Sequence, residues 1–217
     1  MGVDGDLEGL TSLIERVENL KRSAVKSIID ARVKEFMESR NKPPAEIFKE
    51  LCFCILTANF SAEKSIKIQS EIGDGFLNLS ESMLAEKLRS LNHRYPEIRA
   101  KYIVEARKII NPLWKILNSS LDGKFIREWL VKNVKGIGYK EASHFLRNIG
   151  FMNLAIIDFH IINVLSKYGL IKRPKTLTRC RYLEIEGLLS EIADKIGLSL
   201  GELDLYLWYM ETGKVLK

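Results

Sequence analysis

The strongest constraint on the fold of this chain is a glycine hairpin flanked by two helical patterns. Apolar residues recur at helical spacing before and after it, at Phe125, Ile126, Trp129 and Leu130 on one side and at Ala142, Phe145, Leu146 and Ile149 on the other. Between these patterns, Gly136 and Gly138 flank one apolar residue, and glycine allows a positive φ and the close approach of a partner. The second helix then starts with its free N–H groups and positive dipole end at the hairpin. The pattern predicts either an ordinary turn between packed helices or a site that binds an anion such as phosphate.

The predicted second helix begins with a lysine, and a further motif follows it. Lys140 lies two residues after Gly138, and Asp158 lies eighteen residues after Lys140, behind the apolar run at residues 154–157. The two motifs resemble those of the endonuclease III and 8-oxoguanine DNA glycosylase superfamily. In that superfamily, hydrophobic-x-Gly-hydrophobic-Gly precedes the catalytic lysine, and an Asp-x-His-Val segment carries the essential aspartate. The resemblance implies that Lys140 and Asp158 are the catalytic residues.

Further segments narrow the resemblance to the archaeal-type 8-oxoguanine DNA glycosylases and together cover most of the chain. They are Leu-Thr-Ala-Asn at 56–59, His-Arg-Tyr-Pro at 93–96, the hairpin and helix at 136–148, Ala-Ile-Ile-Asp at 155–158 and the ending at 204–210. Tyr139 departs from the family pattern, because that position is often Trp, but an aromatic ring remains for stacking. The resemblance implies that Gly136, Gly138, Lys135 and Tyr139 contact the DNA backbone.

An all-α fold follows from the periodicity of the apolar residues. No segment alternates with a period of two residues for long, and 217 residues can bury a substantial core as one domain or two small lobes. The resemblance implies two helical lobes with the helix-hairpin-helix at the cleft that binds DNA. It also implies a middle lobe at residues 42–152 and a second lobe formed by residues 1–41 and 153–217.

The positive charge of the chain is concentrated in one stretch. The net charge is +6, and residues 159–183 contain no Asp or Glu but six basic residues, Lys167, Lys172, Arg173, Lys175, Arg179 and Arg181. Gly169 and Pro174 within this stretch indicate a loop between helices. Such a loop suits phosphates by electrostatic attraction, although a solvated surface of a lysine-rich protein is the alternative interpretation.

The cysteines and histidines give no metal-binding pattern. Cys52, Cys54 and Cys180 are too few for the four-cysteine cluster that endonuclease III relatives usually carry, and the first two lie in an apolar run that indicates core positions. The three histidines are scattered, which argues against a catalytic metal. We therefore expect no cofactor, except that the resemblance allows a monovalent cation held by hairpin carbonyls.

The sequence contains no sign of a membrane segment or a secretory signal. It has no run of 18 apolar residues, and its N-terminus is acidic and rich in glycine where a secretory signal is basic and then apolar. We therefore expect a monomeric, cytoplasmic protein of a prokaryotic cell.

Lysine at the start of a helix is an unusual choice for stability, because its cation lies at the positive end of the dipole. As a neutral amine, Lys140 can attack C1′ of a damaged nucleotide, displace the base and leave a Schiff base, from which β-elimination cuts the strand. The resemblance implies that Asp158 stabilises the positive charge that develops on the sugar. Phosphate binding is the alternative role for Lys140, and Asp158 can also cap the helix that begins near Phe159.

Three polar or aromatic residues are candidates for insertion into the DNA strand. The resemblance implies that Asn59 enters the space left by the flipped nucleotide, although Asn59 or Ser61 could instead cap the next helix. Arg94 and Tyr95 precede a predicted helix at the position where the family carries residues that wedge into the base stack. Surface residues without this role are the alternative for both.

The C-terminal segment contains the candidates for the base pocket. The resemblance implies that Trp208 stacks on the flipped purine and that Lys217 helps to recognise it, because an extruded base needs a π surface and hydrogen-bonding partners. A core position is the alternative for Trp208, which has Leu203, Leu207 and Met210 around it in the sequence.

The resemblance carried by these motifs implies a DNA repair enzyme, a bifunctional glycosylase and AP lyase that excises 8-oxoguanine from double-stranded DNA. One alternative is the same scaffold acting on oxidised pyrimidines, against which the missing cluster cysteines and the Leu-Thr-Ala-Asn turn argue. Another is a non-catalytic helix-hairpin-helix module that only binds the DNA backbone. The lysine and aspartate at catalytic spacing argue against that module.

Overall fold

The computed structural model describes residues 3–217, with side chains described from residue 7 onward. Within this range the chain consists of α-helices, one short 3-10 helix and connecting turns, without a β-strand. The all-α fold predicted from the sequence is confirmed. Among the described residues, no helix has both the length and the apolar content that crossing a membrane requires.

Thirteen α-helices make up the described chain. In order they are α1 (Val3–Lys21), α2 (Val25–Ser39), α3 (Pro44–Thr57), α4 (Ala62–Ile72), α5 (Gly75–Asn78), α6 (Glu81–Ser90), α7 (Pro96–Ala106), α8 (Ile110–Leu117), α9 (Gly123–Asn133), α10 (Tyr139–Asn148), α11 (Phe159–Lys167), α12 (Arg179–Ile196) and α13 (Leu200–Thr212), with the 3-10 helix Arg107–Ile109 between α7 and α8.

The helices form two compact units. One unit is Met37–Gly150, and the other joins the described residues up to Phe36 with Phe151–Lys217. The observed division is therefore one contiguous unit and a second unit built from both ends of the chain. The lobes implied by the resemblance had their boundaries at residues 41/42 and 152/153.

Helix α3 is the central element of Met37–Gly150. Pro44 begins it, at a position where the missing N–H is no loss, and every residue from Leu51 to Thr57 is buried. A helix that is apolar on all sides needs neighbours on all sides, and α3 packs against α4, α7, α8 and α10. Cys52 and Cys54 are core residues of this helix, as the sequence predicted.

A half-buried carboxylate fixes α10 against α3. Glu50 of α3 accepts hydrogen bonds from Asn148 Nδ2 at 2.6 Å and from Gln69 Nε2 at 3.2 Å, so α4 and α10 are tied to the same side chain. Because a buried polar group without partners is costly, these bonds favour one placement of the three helices.

The second unit is built from α1, most of α2, α11, α12 and α13. Helix α13 packs against α1, α11 and α12. Lys21 in the last turn of α1 donates to the Ile196 carbonyl at 2.6 Å, where α12 ends, and a lysine at a helix C-terminus also complements the dipole. Ser199 and Glu202 cap α13 reciprocally, with the Ser199 N–H donating to Glu202 Oε2 at 2.8 Å.

We expect Leu51→Ala to lower the free energy of unfolding by about 2–5 kcal/mol, because it leaves a cavity in the fully buried α3. Leu121→Ala is the matched control, since Leu121 is 40% exposed, and its effect should stay within about 0.5 kcal/mol. Urea unfolding of both variants measures the difference, and equal losses would contradict the central position of α3.

Candidate functional site

The predicted glycine hairpin is present, and Gly136 is its required residue. Helix α9 ends at Asn133 and α10 begins at Tyr139, and Gly136 between them has a φ of +81°. A Cβ built on Gly136 would lie 2.4 Å from Tyr102 Cδ2 and 3.2 Å from Arg99 Nη1. Both the backbone conformation and the close approach to α7 therefore exclude a side chain here.

Gly138 has a different role from the one expected. The sequence predicted that both glycines allow positive φ, but Gly138 is extended, with a φ of −102°, and forms the N-cap of α10. Its N–H donates to Glu141 Oε2 at 3.2 Å, which satisfies one free donor of the helix start. A Cβ here would meet Glu141 Oε2 at 3.4 Å, an ordinary contact, so a glycine at this position serves mainly to leave the helix start uncovered.

The candidate nucleophile Lys140 lies in the first turn of α10. Its Nζ is 3.2 Å from Glu141 Oε1, and the side chains of Lys140 and Glu141 are 24% and 13% exposed. The Glu141 carboxylate therefore binds both the Gly138 N–H and the Lys140 amine. Lys135 in the hairpin is more exposed and pairs with Glu105 of α7 at 3.0 Å.

Tyr139 is fixed between the two helices of the hairpin. Its hydroxyl donates to Glu128 of α9, and the Arg127 guanidinium lies 5.1 Å from the centre of its ring. Arg127 is buried and also donates to Ser143 Oγ of α10 at 3.2 Å. These contacts bind α9 to α10 and orient the aromatic residue at the start of α10.

The turn between α3 and α4 exposes Asn59. This residue has a φ of +58°, a conformation that Asn tolerates better than most residues because its short polar side chain can bond locally. The sequence left open whether Asn59 or Ser61 caps α4. Ser61 is the cap, since its hydroxyl accepts from the Lys64 N–H, and Asn59 is left on the surface.

The turn between α6 and α7 carries Arg94 and Tyr95. Arg94 is exposed, and its guanidinium lies 5.1 Å from the centre of the half-buried Tyr95 ring. The two side chains form one cation–π pair rather than two independent surface residues. Asn59, Arg94, Tyr95, Lys140 and the hairpin all belong to the unit Met37–Gly150.

Two buried polar side chains lie beneath these turns. His93 Nδ1 accepts from the Tyr95 N–H at 3.1 Å, and its Nε2 is 3.0 Å from the Leu56 carbonyl oxygen. Arg99 Nη2 donates to the Ala58 carbonyl at 2.5 Å. Burial lowers the pKa of His93 against the hydrogen bond with the Leu56 carbonyl, which raises it, and the charge of Arg99 acts in the same direction as burial. The net shift favours the neutral imidazole.

Asp158 belongs to the other unit and is the N-cap of α11. Its Oδ1 accepts from the backbone N–H groups of His160 at 2.9 Å and Ile161 at 3.0 Å. The capping role predicted from the sequence is thus confirmed, and it fixes the direction of the carboxylate. The pairing of Asp158 with Lys140 stays a prediction.

Trp208 is half-buried and has an aromatic neighbourhood. The His160 ring lies 5.2 Å from it in an edge-on arrangement, and the Phe159 ring lies 3.8 Å from that of His160. Phe159 itself is 61% exposed. Leu203 and Leu207 are core residues, whereas Trp208 and the terminal Lys217 are partly accessible.

The six basic residues of the stretch lie at the end of α11, in the connection to α12 and in the first turn of α12. All of them except Arg181 are exposed, and Arg181 pairs with Glu184 at 2.8 Å. Within the described part of the chain, no group of three or more His, Cys, Asp or Glu side chains is arranged to hold a metal.

The sequence did not identify His93, Arg99, Arg127 and Glu141 as functional candidates. For Glu141 a signal existed, since a glutamate three residues after an N-cap is the spacing of a capping box. His93 was part of the motif at 93–96, but a lone histidine carries no sign of burial. The two arginines were indistinguishable from surface charges, because their partners lie far away in the sequence.

The helical fold, the helix-hairpin-helix, the lysine behind the hairpin and the capping aspartate are together typical of one class of protein, the helix-hairpin-helix DNA glycosylases. The family model of 8-oxoguanine DNA glycosylase matches residues 29–198. An 8-oxoguanine DNA glycosylase/AP lyase of Korarchaeum cryptofilum is 58% identical over 210 residues, which are 96% of this chain and 100% of the relative. The chain belongs to the 8-oxoguanine DNA glycosylase family.

Solved structures agree with this assignment. The crystal structure of Methanocaldococcus jannaschii 8-oxoguanine glycosylase/lyase in complex with 15mer DNA containing 8-oxoguanine is similar, with a TM-score of 0.92 and 55% identity, covering 95% of this chain and 100% of that chain. An endonuclease III–DNA complex shares the fold, with a TM-score of 0.55 and 18% identity over 85% of this chain and 83% of that chain. The resemblance stated from the motifs is confirmed.

Gly136→Ala should lower the free energy of unfolding by at least about 2 kcal/mol, because positive φ is unfavourable for alanine and its Cβ would overlap Tyr102. Gly138→Ala is the matched control in the same hairpin and should cost about 0.5–1 kcal/mol, the usual penalty for alanine at an N-cap. Urea unfolding compares them, and a larger loss for Gly138→Ala would contradict the observed hairpin conformation.

The lowered pKa of His93 predicts that the fold loses stability in acid. With a folded pKa below the unfolded value of about 6.5, the stabilising contribution of neutral His93 is fully present above that pH and is lost as pH falls through the folded pKa. The free energy of unfolding in urea should therefore fall between about pH 7.5 and about pH 5.5, and it should fall less in His93→Asn, which cannot titrate. An equal fall in both proteins would place the acid sensitivity elsewhere.

Proposed function

We propose that this protein is a bifunctional DNA glycosylase and AP lyase that removes 8-oxoguanine from double-stranded DNA. The single observation that carries the proposal is the position of Lys140, whose side chain is 24% exposed in the first turn of α10, directly behind the Gly136 hairpin. Relatives named 8-oxoguanine DNA glycosylase/AP lyase that align along almost the whole chain support the choice of substrate.

Lys140 Nζ attacks C1′ of the damaged nucleotide as a neutral amine. The new N–C1′ bond displaces the base, which leaves with the electrons of the glycosidic bond and takes up a proton. The sugar ring opens to a Schiff base, loss of a C2′ proton follows, and the C3′–O bond breaks. In the free protein, the Glu141 carboxylate at 3.2 Å holds the amine in place.

Asp158 supports this reaction electrostatically. Its carboxylate is fixed in direction by the two backbone N–H groups that it caps, so it is ready to stabilise positive charge as the base departs. Its placement beside the sugar and Lys140 is part of the proposal. Because the reaction uses side chains alone, no cofactor is required, although the hairpin carbonyls could hold a monovalent cation.

Contacts to the DNA backbone come from the hairpin. Gly136, Gly138, Lys135 and Tyr139 surround the start of α10, where N–H groups and the helix dipole attract a phosphate. The exposed basic stretch between α11 and α12 adds attraction that does not depend on base sequence. We propose that the protein binds DNA as a monomer in the cytoplasm.

Recognition of the lesion requires extrusion of the base and filling of the gap. Asn59 and the Arg94–Tyr95 pair are the proposed residues for the gap, since they project from two exposed turns of the same unit. The extruded purine is proposed to stack on Trp208, with Lys217 as a polar partner. A half-buried Trp208 beside His160 offers the accessible aromatic surface that stacking needs.

Borohydride trapping tests the proposal, because reduction makes the Schiff base a permanent covalent link between protein and DNA. We expect an adduct with duplex DNA containing 8-oxoguanine and none with undamaged duplex or with duplex containing thymine glycol. Lys140→Gln should abolish the adduct. Lys135→Gln, in the same hairpin, should keep it while lowering the salt dependence of DNA binding by roughly one phosphate contact.

Other outcomes would change the assignment in defined ways. An adduct with thymine glycol would indicate a glycosylase for oxidised pyrimidines. Base release without an adduct would indicate a monofunctional enzyme that uses activated water. Neither release nor an adduct would leave a helix-hairpin-helix protein that only binds DNA.

A further inference from the structure

Two of the three turns proposed to face DNA are connected below the surface by polar side chains. The first turn, residues 58–61, carries Asn59, and the second, residues 92–95, carries Arg94 and Tyr95. His93 and Arg99 lie beneath them and are only 5% and 7% exposed. We call these two buried side chains the brace. At such burial, neither member of the brace is available for direct contact with DNA.

His93 lies in the second turn and joins it to the end of α3 through opposite edges of one ring. Its Nδ1 accepts from the Tyr95 N–H, and its Nε2 lies within hydrogen-bond distance of the Leu56 carbonyl at the end of α3. A backbone N–H can only donate and a carbonyl can only accept, so the neutral tautomer with a proton on Nε2 satisfies both bonds. The Phe60 ring, 4.2 Å away, packs on the imidazole from the first turn.

Arg99 connects the same turns and reaches the hairpin. Its Nη2 donates to the carbonyl of Ala58, the residue before Asn59, and its guanidinium lies 5.9 Å from the centre of the Tyr95 ring. Its Nη1 also lies 3.2 Å from the position that a Cβ on Gly136 would occupy. One buried cation therefore lies against all three segments that the proposed function assigns to DNA.

The backbone that the brace holds is itself unusual. Asn59 has a positive φ, which costs free energy in a residue other than glycine and persists where the surroundings enforce it. Arg99 fixes the peptide immediately before Asn59, and His93 fixes the peptide immediately before Tyr95 by binding its N–H. Two of the three insertion candidates, Asn59 and Tyr95, are thus each oriented by a buried hydrogen bond next to them in the chain.

We propose that His93 and Arg99 are positioning residues that hold Asn59 and Tyr95 at a fixed separation for insertion into the gap left by the extruded nucleotide. This inference rests on the proposed function. Extrusion leaves an unstacked gap whose filling depends on geometry, and a displacement of about 1 Å at such a contact can cost roughly 100-fold in rate. The brace acts through the inserted side chains. Because Arg99 also approaches the hairpin that precedes Lys140, the His93 variants test this role without disturbing the hairpin contact.

A double-mutant cycle tests whether the brace acts through the insertion residues. The readout is the single-turnover rate of 8-oxoguanine excision from duplex DNA, measured well below the melting temperature of every variant. Arg99→Lys keeps the charge but loses the planar fork, and we expect it to slow excision by roughly 10- to 100-fold. In the background Asn59→Ala/Tyr95→Ala, which is itself slow, Arg99→Lys should change the rate by less than about 2-fold.

Two histidine variants repeat the test with one hydrogen bond removed at a time. His93→Asn keeps an acceptor near the Nδ1 position, and His93→Gln keeps a donor near the Nε2 position. Each should slow excision in the wild-type background and have little effect in the Asn59→Ala/Tyr95→Ala background. If Arg99→Lys does not fold, these variants decide the question.

Arg107→Lys is the matched control for a merely structural arginine. Arg107 Nε donates to the Phe76 carbonyl at 2.8 Å, away from the two turns, so its replacement removes a comparable arginine–carbonyl bond. Its effect on the excision rate should be the same in both backgrounds. Thermal unfolding of every variant separates loss of stability from loss of positioning.

The outcomes distinguish this inference from the proposed function. Wild-type protein that does not excise 8-oxoguanine overturns the proposed function. Wild-type excision together with equal losses from brace variants in both backgrounds, or with no loss in either, overturns the inference alone. If every brace variant fails to fold while Arg107→Lys folds, the brace is structural, and the inference also falls.

Discussion

The close approach of the hairpin to α7 is the constraint on which the rest of the candidate site depends. Gly136 packs with its backbone against Tyr102 and Arg99, at distances that a Cβ could not share. That contact fixes where α10 begins, and the start of α10 carries Lys140, Tyr139 and the N–H groups offered to a phosphate. The absence of a side chain at Gly136 therefore determines where the candidate nucleophile Lys140 lies.

Buried polar groups supply the precision that an apolar core alone does not. Asn148, through Glu50, ties α10 to α3, Arg127 ties α9 to α10, and His93 and Arg99 tie the exposed turns to the helices beneath them. Apolar contacts tolerate small shifts because the hydrophobic effect is not directional. Hydrogen bonds to buried groups do not, since a displaced partner leaves a costly unsatisfied atom. These groups are concentrated around the elements that the proposed function uses.

The charged residues that the proposed function uses differ in how firmly the structure holds them. In Met37–Gly150, Lys140 and Glu141 form a partly buried pair at the start of a helix, which keeps the candidate nucleophile in a defined place. In the other unit, Asp158 is held by two N–H groups, and the exposed basic stretch needs no such precision. Attraction of DNA works over a distance of several ångströms, whereas chemistry at C1′ requires fixed atoms.

The sequence by itself determined the local features of this protein. Helical periodicity predicted the all-α fold, and the motifs around Lys140 and Asp158 identified the family, because caps, hairpins and catalytic spacings are encoded within a few residues. The sequence did not show that Gly138 is extended rather than at positive φ. An N-cap and a left-handed turn both accept glycine, so the residue type alone does not distinguish them. Only the tertiary structure revealed the brace: His93 and Arg99 bind carbonyls 37 and 41 residues away. Such pairs leave no periodic pattern, because burial of a single polar side chain depends on how distant helices pack.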